Sequence, residues 1–402
     1  MRFLTANYIF ADHTPAIPNG ILVTKNDGTV LGVFKSKEEV FAAFPKLQKR
    51  NFKLEFYKGF LCPGFVNAHC HLELSYLKGK IKPGGGITSF IKQLIEIRNN
   101  FSAKEIQDAI KTADKEMYDE GIVAVGDISN GDATFKLKAK SKIYYHTFIE
   151  AFDLKPEKAT QAFLVAQGLM AQLKKSAPEN CNASIVPHAP YTVTQKLFKL
   201  INDYPHNNIV SIHSQESEGE NKLFKVKKGV LYDFFLSMGN NLSHVSATRK
   251  SSVYYTRSLL HKIKRILFVH NTFTNRNDVR FIVSEKPLAS LCLCPNANLF
   301  IEGKLPDVNL LFNNHANLCV GTDSLASNKQ LSVIEEIKVI ASRFKKIPIE
   351  EVIGFATYSG AWALNIENKY GTFCKGMKPG VVHIANTKGK KFTAKSFAKR
   401  AL

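Results

Sequence analysis

His69-Cys70-His71 is the first place along this chain where side chains could do chemistry. Alternate residues of an extended segment point the same way, so the two imidazoles can reach one ion. Further metal-competent or proton-active residues follow at long intervals: His188, His213 with Glu216 three positions on, His270 and Asp323. Three or more His and carboxylate donors around an open position suit a catalytic divalent ion, Zn²⁺ or a related first-row metal, that makes hydroxide available near neutral pH. Each residue also has a plainer reading. His-x-His occurs in surface strands, His270 could fill a core, Asp323 could cap a helix, and Glu216 lies in an acidic run with Glu218 and Glu220. What argues against all of these together is where the residues fall.

They fall at the ends of predicted strands. Short β-rich runs are expected at Gly64 to Asn67, Val123 to Ile128, Tyr144 to Glu150, Ser184 to His188, Val210 to His213, Ile266 to His270, Ser290 to Cys294 and Leu318 to Gly321. Longer amphipathic segments such as Ile87 to Asn100 and Ala103 to Glu120 separate the early ones, the pattern of parallel strands with crossover helices. Eight repeats over residues 61–365 predict an α/β chain folded as a (β/α)₈ TIM barrel, whose C-terminal strand ends meet at one catalytic face. Residues 1–60 read instead as short strands, at Phe3 to Phe10, Gly20 to Thr24, Val30 to Phe34 and Leu54 to Leu61. Residues 366–402 return to β character around a turn at Lys378-Pro379-Gly380 and end in a basic tail. A small β-sandwich domain built from both chain ends is the expectation.

Composition narrows the classes. The chain has 402 residues, 45% of them hydrophobic, which is enough for one large core and a second small one. No window approaches a membrane span, and the first twenty residues lack a basic stretch followed by an apolar run. A cytoplasmic protein without a membrane partner is expected. Seven scattered cysteines, with Cys292 and Cys294 the only close pair, read as free thiols. The net charge of +21 would fit a nucleic-acid partner, but the lysines lie in short groups without interleaved aromatics, so no nucleic-acid binding is expected.

The segments PGFVNAHCHLELS, VPHAPYTV, His213-Ser214-Gln215-Glu216, VHNT and GTDSLASN together resemble the amidohydrolase superfamily. Within it they resemble the cytosine deaminase-like branch, which includes guanine, adenosylhomocysteine and aminofutalosine deaminases and chlorotriazine hydrolases. The resemblance implies that His69, His71, His213 and Asp323 hold one divalent ion, most simply Zn²⁺, with Fe²⁺ and Mn²⁺ also accepted by such donors. It gives Glu216 and His270 the protons around the bound water, with Asp323 also accepting the water's proton. Two-metal members place a carboxylated Lys at the end of strand four, where this chain has His188-Ala189-Pro190-Tyr191, so a mononuclear site is implied.

Substrate contacts implied by the same resemblance are His188, Glu73 of HLELS and Arg98, although Glu73 could equally orient a metal-bound His and Arg98 could face solvent. The chain departs from the family at Pro379-Gly380-Val381-Val382-His383, where relatives carry an Asp. HLELS, the helix start at Ser89-Phe90-Ile91 and Arg98 resemble aminofutalosine deaminases most. The implied reaction is release of ammonia from an aminated purine-like heterocycle or nucleoside, of the aminodeoxyfutalosine or adenosylhomocysteine type. Hydrolysis of a cyclic amide or a chloro-heterocycle on the same site is the alternative, and a non-catalytic binding protein a remote one. Homo-oligomers are common in the family, and a single sequence leaves that open.

Overall fold

The computed structural model describes residues 1–12, 14–47, 52–176, 181–284 and 288–402. Five strands come first: β1 (Arg2–Ile9), β2 (Ile17–Pro18), β3 (Ile21–Thr24), β4 (Val30–Phe34) and β5 (Leu54–Pro63). Then follow β6 (Phe65–Cys70), β7 (Ile122–Ser129), β8 (Tyr144–Ala151) and β9 (Cys181–Pro187). A second set comprises β10 (Ile209–Ser214), β11 (Arg265–His270), β12 (Leu288–Leu293) and β13 (Asn317–Val320), and the chain closes with β14 (Val381–Ala385) and β15 (Phe397–Arg400).

β6 to β9 form one four-stranded parallel sheet in sequence order, and β10 to β13 form another. All eight strands expected between residues 61 and 365 are therefore present, separated by helices in a mixed α/β chain. Every residue of β6, β7 and β10 is buried, as for parallel strands covered on both faces. The two sheets are tied to each other at both ends. His213 N–H donates to His188 O at 3.0 Å between β10 and the end of β9. Thr322 and Asp323 N–H donate to His69 O at 3.0 and 3.1 Å, and Cys70 and Asp323 form a parallel bridge.

The covering helices are set by local chemistry. Ser102 and Glu105 make a reciprocal capping box at the start of Ala103–Glu120, whose buried stripe is Ile110, Ala113 and Met117. The helix stops at Gly121, with φ of 103°, where a Cβ would stand 2.4 Å from Val382 Cγ2. That contact packs β14 against the first parallel sheet.

Strands from the two chain ends meet in a single seven-stranded sheet of order β15-β14-β5-β1-β3-β4, with β2 paired to β1. β5 pairs with β1 on one edge and β14 on the other, so both ends join one hydrogen-bonded ladder. The basic C-terminal segment contributes a strand to this sheet. β15 runs antiparallel to β14, and Arg400 lies 3.9 Å over the Tyr118 ring while donating to the carbonyls of Tyr118 and Ile122, both at 2.8 Å. Lys399 and Arg400 on such an edge strand discourage pairing with other chains. All seven cysteines are free thiols, five of them buried. No helix among the described residues is long and apolar enough to cross a membrane.

Candidate metal centre and active site

The end of β6 carries His69 and His71 into the space where the C-terminal ends of the parallel strands converge. His71 Nε2 lies 3.3 Å from His213 Nε2, and one nitrogen from each of His69, His71 and His213 falls within 4.8 Å of the others. Asp323 Oδ1 faces the same point, 3.7 Å from His69 Nε2 and 3.5 Å from His71 Nε2. His213 Nδ1 is 2.8 Å from the carbonyl of His188, which fixes the ring proton on Nδ1 and leaves the Nε2 lone pair turned to the centre.

The donor set fits a divalent cation on two counts. Both ring nitrogens of fully buried His69 lack a hydrogen-bond partner, a costly arrangement unless an ion takes up a lone pair. Burial, together with the neighbouring imidazoles, also holds His71 down to about 3 and His213 well below the usual histidine range. Burial likewise lowers His69. These are neutral rings, the form that coordinates a metal.

Around the donors stands a proton-handling group. Gln215 turns the chain at the end of β10 with φ of 49°, and its buried amide is anchored to Asp278 Oδ2 at 2.7 Å, Asn221 Oδ1 at 3.0 Å and the Thr274 hydroxyl at 2.7 Å. That anchoring aims Glu216, whose Oε1 reaches 3.6 Å from His270 Nε2. His270 has φ of 76°, and its Nδ1 is paired with Asn298 Oδ1 at 2.9 Å. Asp323 has φ of 57°, and its Oδ2 accepts the Ser327 hydroxyl at 2.6 Å. Left-handed backbone at three non-glycine residues is strain gathered at one place, a common mark of a functional site.

Burial pushes the Glu216 carboxyl up to about 7, against the pull of His270 and with the help of Asp323 and Glu302. Burial would lower His270, but the carboxylates of Glu216 and Asp323 outweigh it and raise the ring. Burial would raise Asp323, yet its contact with His69 and the nearby His71 and His270 hold it well below the usual carboxylate range. Two carboxyl groups with opposite shifts therefore share one site, the arrangement that separates an acid from a base.

The structure brings seven of the sequence-predicted residues together here: His69, His71, His188, His213, Glu216, His270 and Asp323. His188 is half-buried, with its ring 4.8 Å from that of His213 and its Nδ1 paired to Thr192 Oγ1 at 2.8 Å. Glu73 lies at the rim, where both its oxygens accept the Asn130 N–H at 3.1 Å and burial raises its carboxyl to about 8. Arg98 stands apart, exposed at the end of Gly86–Ile97, and its carbonyl accepts the Tyr76 hydroxyl at 3.1 Å.

Glu150, Asn298 and Ser327 were not singled out from sequence. Glu150 ends β8, is 8% exposed and places Oε1 3.6 Å from His213 Nδ1, while its Oε2 accepts from Asn130 Nδ2 at 2.8 Å. A carboxylate at a strand end was the signal that could have found it. Glu150, His188 and His213 form a second group of donors within 4.8 Å. His213 cannot serve both groups, because its Nδ1 is taken by the His188 carbonyl.

Gly321 lets β13 approach β6 closely enough to complete the site. A Cβ there would meet His69 Cβ at 2.7 Å, His69 O at 2.8 Å and Cys292 Sγ at 2.9 Å. Gly321→Ala is therefore expected to displace His69, cutting retained metal after dialysis and costing about 1–3 kcal/mol of stability. Gly131→Ala, which meets nothing within 4 Å, is the control. Metal analysis with thermal melting checks this, and unchanged metal content in Gly321→Ala would refute the tight fit.

Residues 60–397 match the model of the amidohydrolase family. An adenosine deaminase of Helicobacter pylori (strain ATCC 700392 / 26695) is 28% identical over 337 residues, covering 80% of this chain and 78% of that protein. The crystal structure of Helicobacter pylori aminofutalosine deaminase in complex with methylthio-coformycin superimposes with a TM-score of 0.78 over 100% of both chains, at 21% identity. Atrazine chlorohydrolase from Arthrobacter aurescens TC1, complexed with zinc, superimposes with a TM-score of 0.72 over 95% of this chain and 86% of that one, at 14% identity.

Proposed function

The chain belongs to the amidohydrolase family, and from that premise we propose that it is a metal-dependent aminohydrolase that releases ammonia from an aminated purine-like nucleoside. The two four-stranded parallel sheets, tied to each other at both ends, make the (β/α)₈ barrel of this reading, with the seven-stranded sheet as a separate small domain. His69, His71, His213 and Asp323 hold one divalent ion, zinc by preference, with Fe²⁺ and Mn²⁺ compatible with the same donors. When bound, such an ion polarises water so that a hydroxide is available near neutral pH.

The observation that carries the reading is Glu216, a buried carboxyl raised to about 7 and aimed beside His270. At neutral pH a good part of it is protonated. It can therefore give its proton to a ring nitrogen next to the amino-bearing carbon, which makes that carbon electrophilic. Asp323, held as a carboxylate with Ser327 on its outer oxygen, accepts the proton of the attacking water. That proton then passes to the departing amine, the proton left on the new hydroxyl returns to Glu216 as the C–N bond breaks, and the carbon is left as a carbonyl with ammonia released. His270, fixed through Asn298, would orient the attacking water. His188 and Glu73 line the substrate side.

The names of the adenosine deaminase and the aminofutalosine deaminase support an adenine nucleoside as substrate, and we take it to be of the aminodeoxyfutalosine or adenosylhomocysteine type. The test is ammonia release from purified, metal-analysed protein with aminodeoxyfutalosine, adenosylhomocysteine, adenosine, guanine and a pterin. Chelator-sensitive release from an adenine nucleoside is expected. Silence on all five, with chloride release from a chlorotriazine or opening of a cyclic amide, would replace deamination by those hydrolyses.

The pH dependence follows from the raised carboxyl. Glu216 must be protonated to act as acid, so kcat/KM is expected to hold below pH 7 and to fall about tenfold per pH unit above it. The limb due to Asp323 lies far lower, because its carboxyl is depressed. A profile flat from pH 6 to pH 9 would remove Glu216 from this role.

A further inference from the structure

Behind the metal-binding imidazoles lies an ion pair with no exposure at all. Lys138, in the short helix Phe135–Lys138, places Nζ 2.6 Å from Asp127 Oδ2 on β7, and both side chains are 0% exposed. The ammonium also donates to the Ser129 and Thr147 hydroxyls, each at 3.0 Å. The ammonium is thus held by one carboxylate and two hydroxyls. Thr147 is the register partner of Asp127 on β8, so the lysine bridges two adjacent strands at the level of the site.

The other oxygen of Asp127 points elsewhere. Oδ1 accepts the Leu72 N–H at 2.8 Å, the amide that immediately follows His71. On the paired strand the ladder between β6 and β7 shifts register between Asn67 and Cys70, the stretch containing His69. Where backbone pairing lapses, the Asp127 carboxylate takes up the emerging chain. A register shift re-aims side chains only if the new geometry is held.

A buried ion pair is a poor way to gain stability, since desolvating two charges offsets most of their attraction. Its value here lies in geometry. The carboxylate sits close enough to His69 for the two to sense each other electrostatically. A cation at the imidazoles would draw an unpaired carboxylate toward itself, and Lys138 restrains Asp127 from turning.

We propose that Asp127 and Lys138 are positioning residues for the metal centre, Asp127 fixing the His69–His71 segment through Leu72 and Lys138 pinning Asp127 away from the ion. This rests on the metal reading given above. Zinc affinity, measured by competition with a chromophoric chelator, tests it on the wild type, Asp127→Asn, Lys138→Met and the double variant, with melting of each metal-free protein alongside. Each single substitution leaves one buried charge unpaired and is expected to weaken zinc binding by about 10- to 100-fold. The double variant removes both charges and keeps a carbonyl oxygen for Leu72. It is expected to bind zinc within about threefold of the wild type.

A pair that merely supports the core would lower the melting temperatures and leave zinc affinity of both single variants within threefold of wild type, which overturns the proposal. If one single variant does not fold, the other decides by the same threshold, and a double variant that binds zinc more than tenfold weaker overturns the proposal as well. A wild-type chain that binds no zinc, iron or manganese removes the metal reading itself, and this inference with it. The two failures are thus told apart by which protein shows them.

Discussion

Glu216→Gln is expected to lower kcat by about 10³-fold, within the range for loss of a general acid, while metal stays near one ion per chain. The substitution keeps the shape of the side chain and its hydrogen-bonding reach toward His270, 3.6 Å away in the native site. It removes only the ability to give up and regain a proton. Glu216 lies outside the donor group formed by His69, His71 and His213, and the preceding Gln215 holds the backbone through Asp278, Asn221 and Thr274. Metal analysis with steady-state kinetics on the preferred nucleoside decides the matter. Loss of metal together with activity would make Glu216 a ligand or its support, and the assignment of roles would have to be redrawn.

His69→Ala is expected to produce the complementary result, with both metal and activity falling to background. Its imidazole is fully buried, both nitrogens lack hydrogen-bond partners, and its Cβ stands against Gly321. Truncation removes a donor and opens a cavity at the junction of β6 and β13, costing about 1–3 kcal/mol on top of the lost ligand. The protein should still fold, because the adjoining ladder is carried by backbone bonds from Thr322 and Asp323 to the His69 carbonyl. Circular dichroism close to that of the wild type, with no bound metal, is the expected signature. A His69→Ala protein that retains its metal and turns over would shift the centre to the donors around Glu150 and His188. Read together, the two substitutions separate holding the ion from using it.

The eight parallel strands were legible because each is a short apolar run followed by an amphipathic segment, and the reactive residues were legible because they end those runs. Glu150 satisfied the same criterion and was passed over, since its meaning depends on Asn130 and His213, which come close only in the folded chain. The junction of the chain ends was legible as β character but not as one sheet, because pairing partners about 320 residues apart, such as His383 with Leu61, leave no local trace. β15 was hidden inside a lysine-rich run, where an edge strand needs few apolar residues. Lys138 shows the limit most clearly. Within Phe135-Lys136-Leu137-Lys138-Ala139-Lys140 it looks like its solvated neighbours, and only acceptors from two strands make its burial tolerable.

The left-handed backbone at Gln215, His270 and Asp323 has a consequence for how this protein can change. Asparagine or glycine at such positions relieves local strain and would be favoured by any selection for thermal resistance alone. The same replacements erase His270, Asp323 and the Gln215 amide that anchors Glu216. Improvement in robustness and retention of chemistry therefore pull against each other at these turns, so a lineage or a laboratory library screened only for survival on heating would drift toward a sturdier, silent protein.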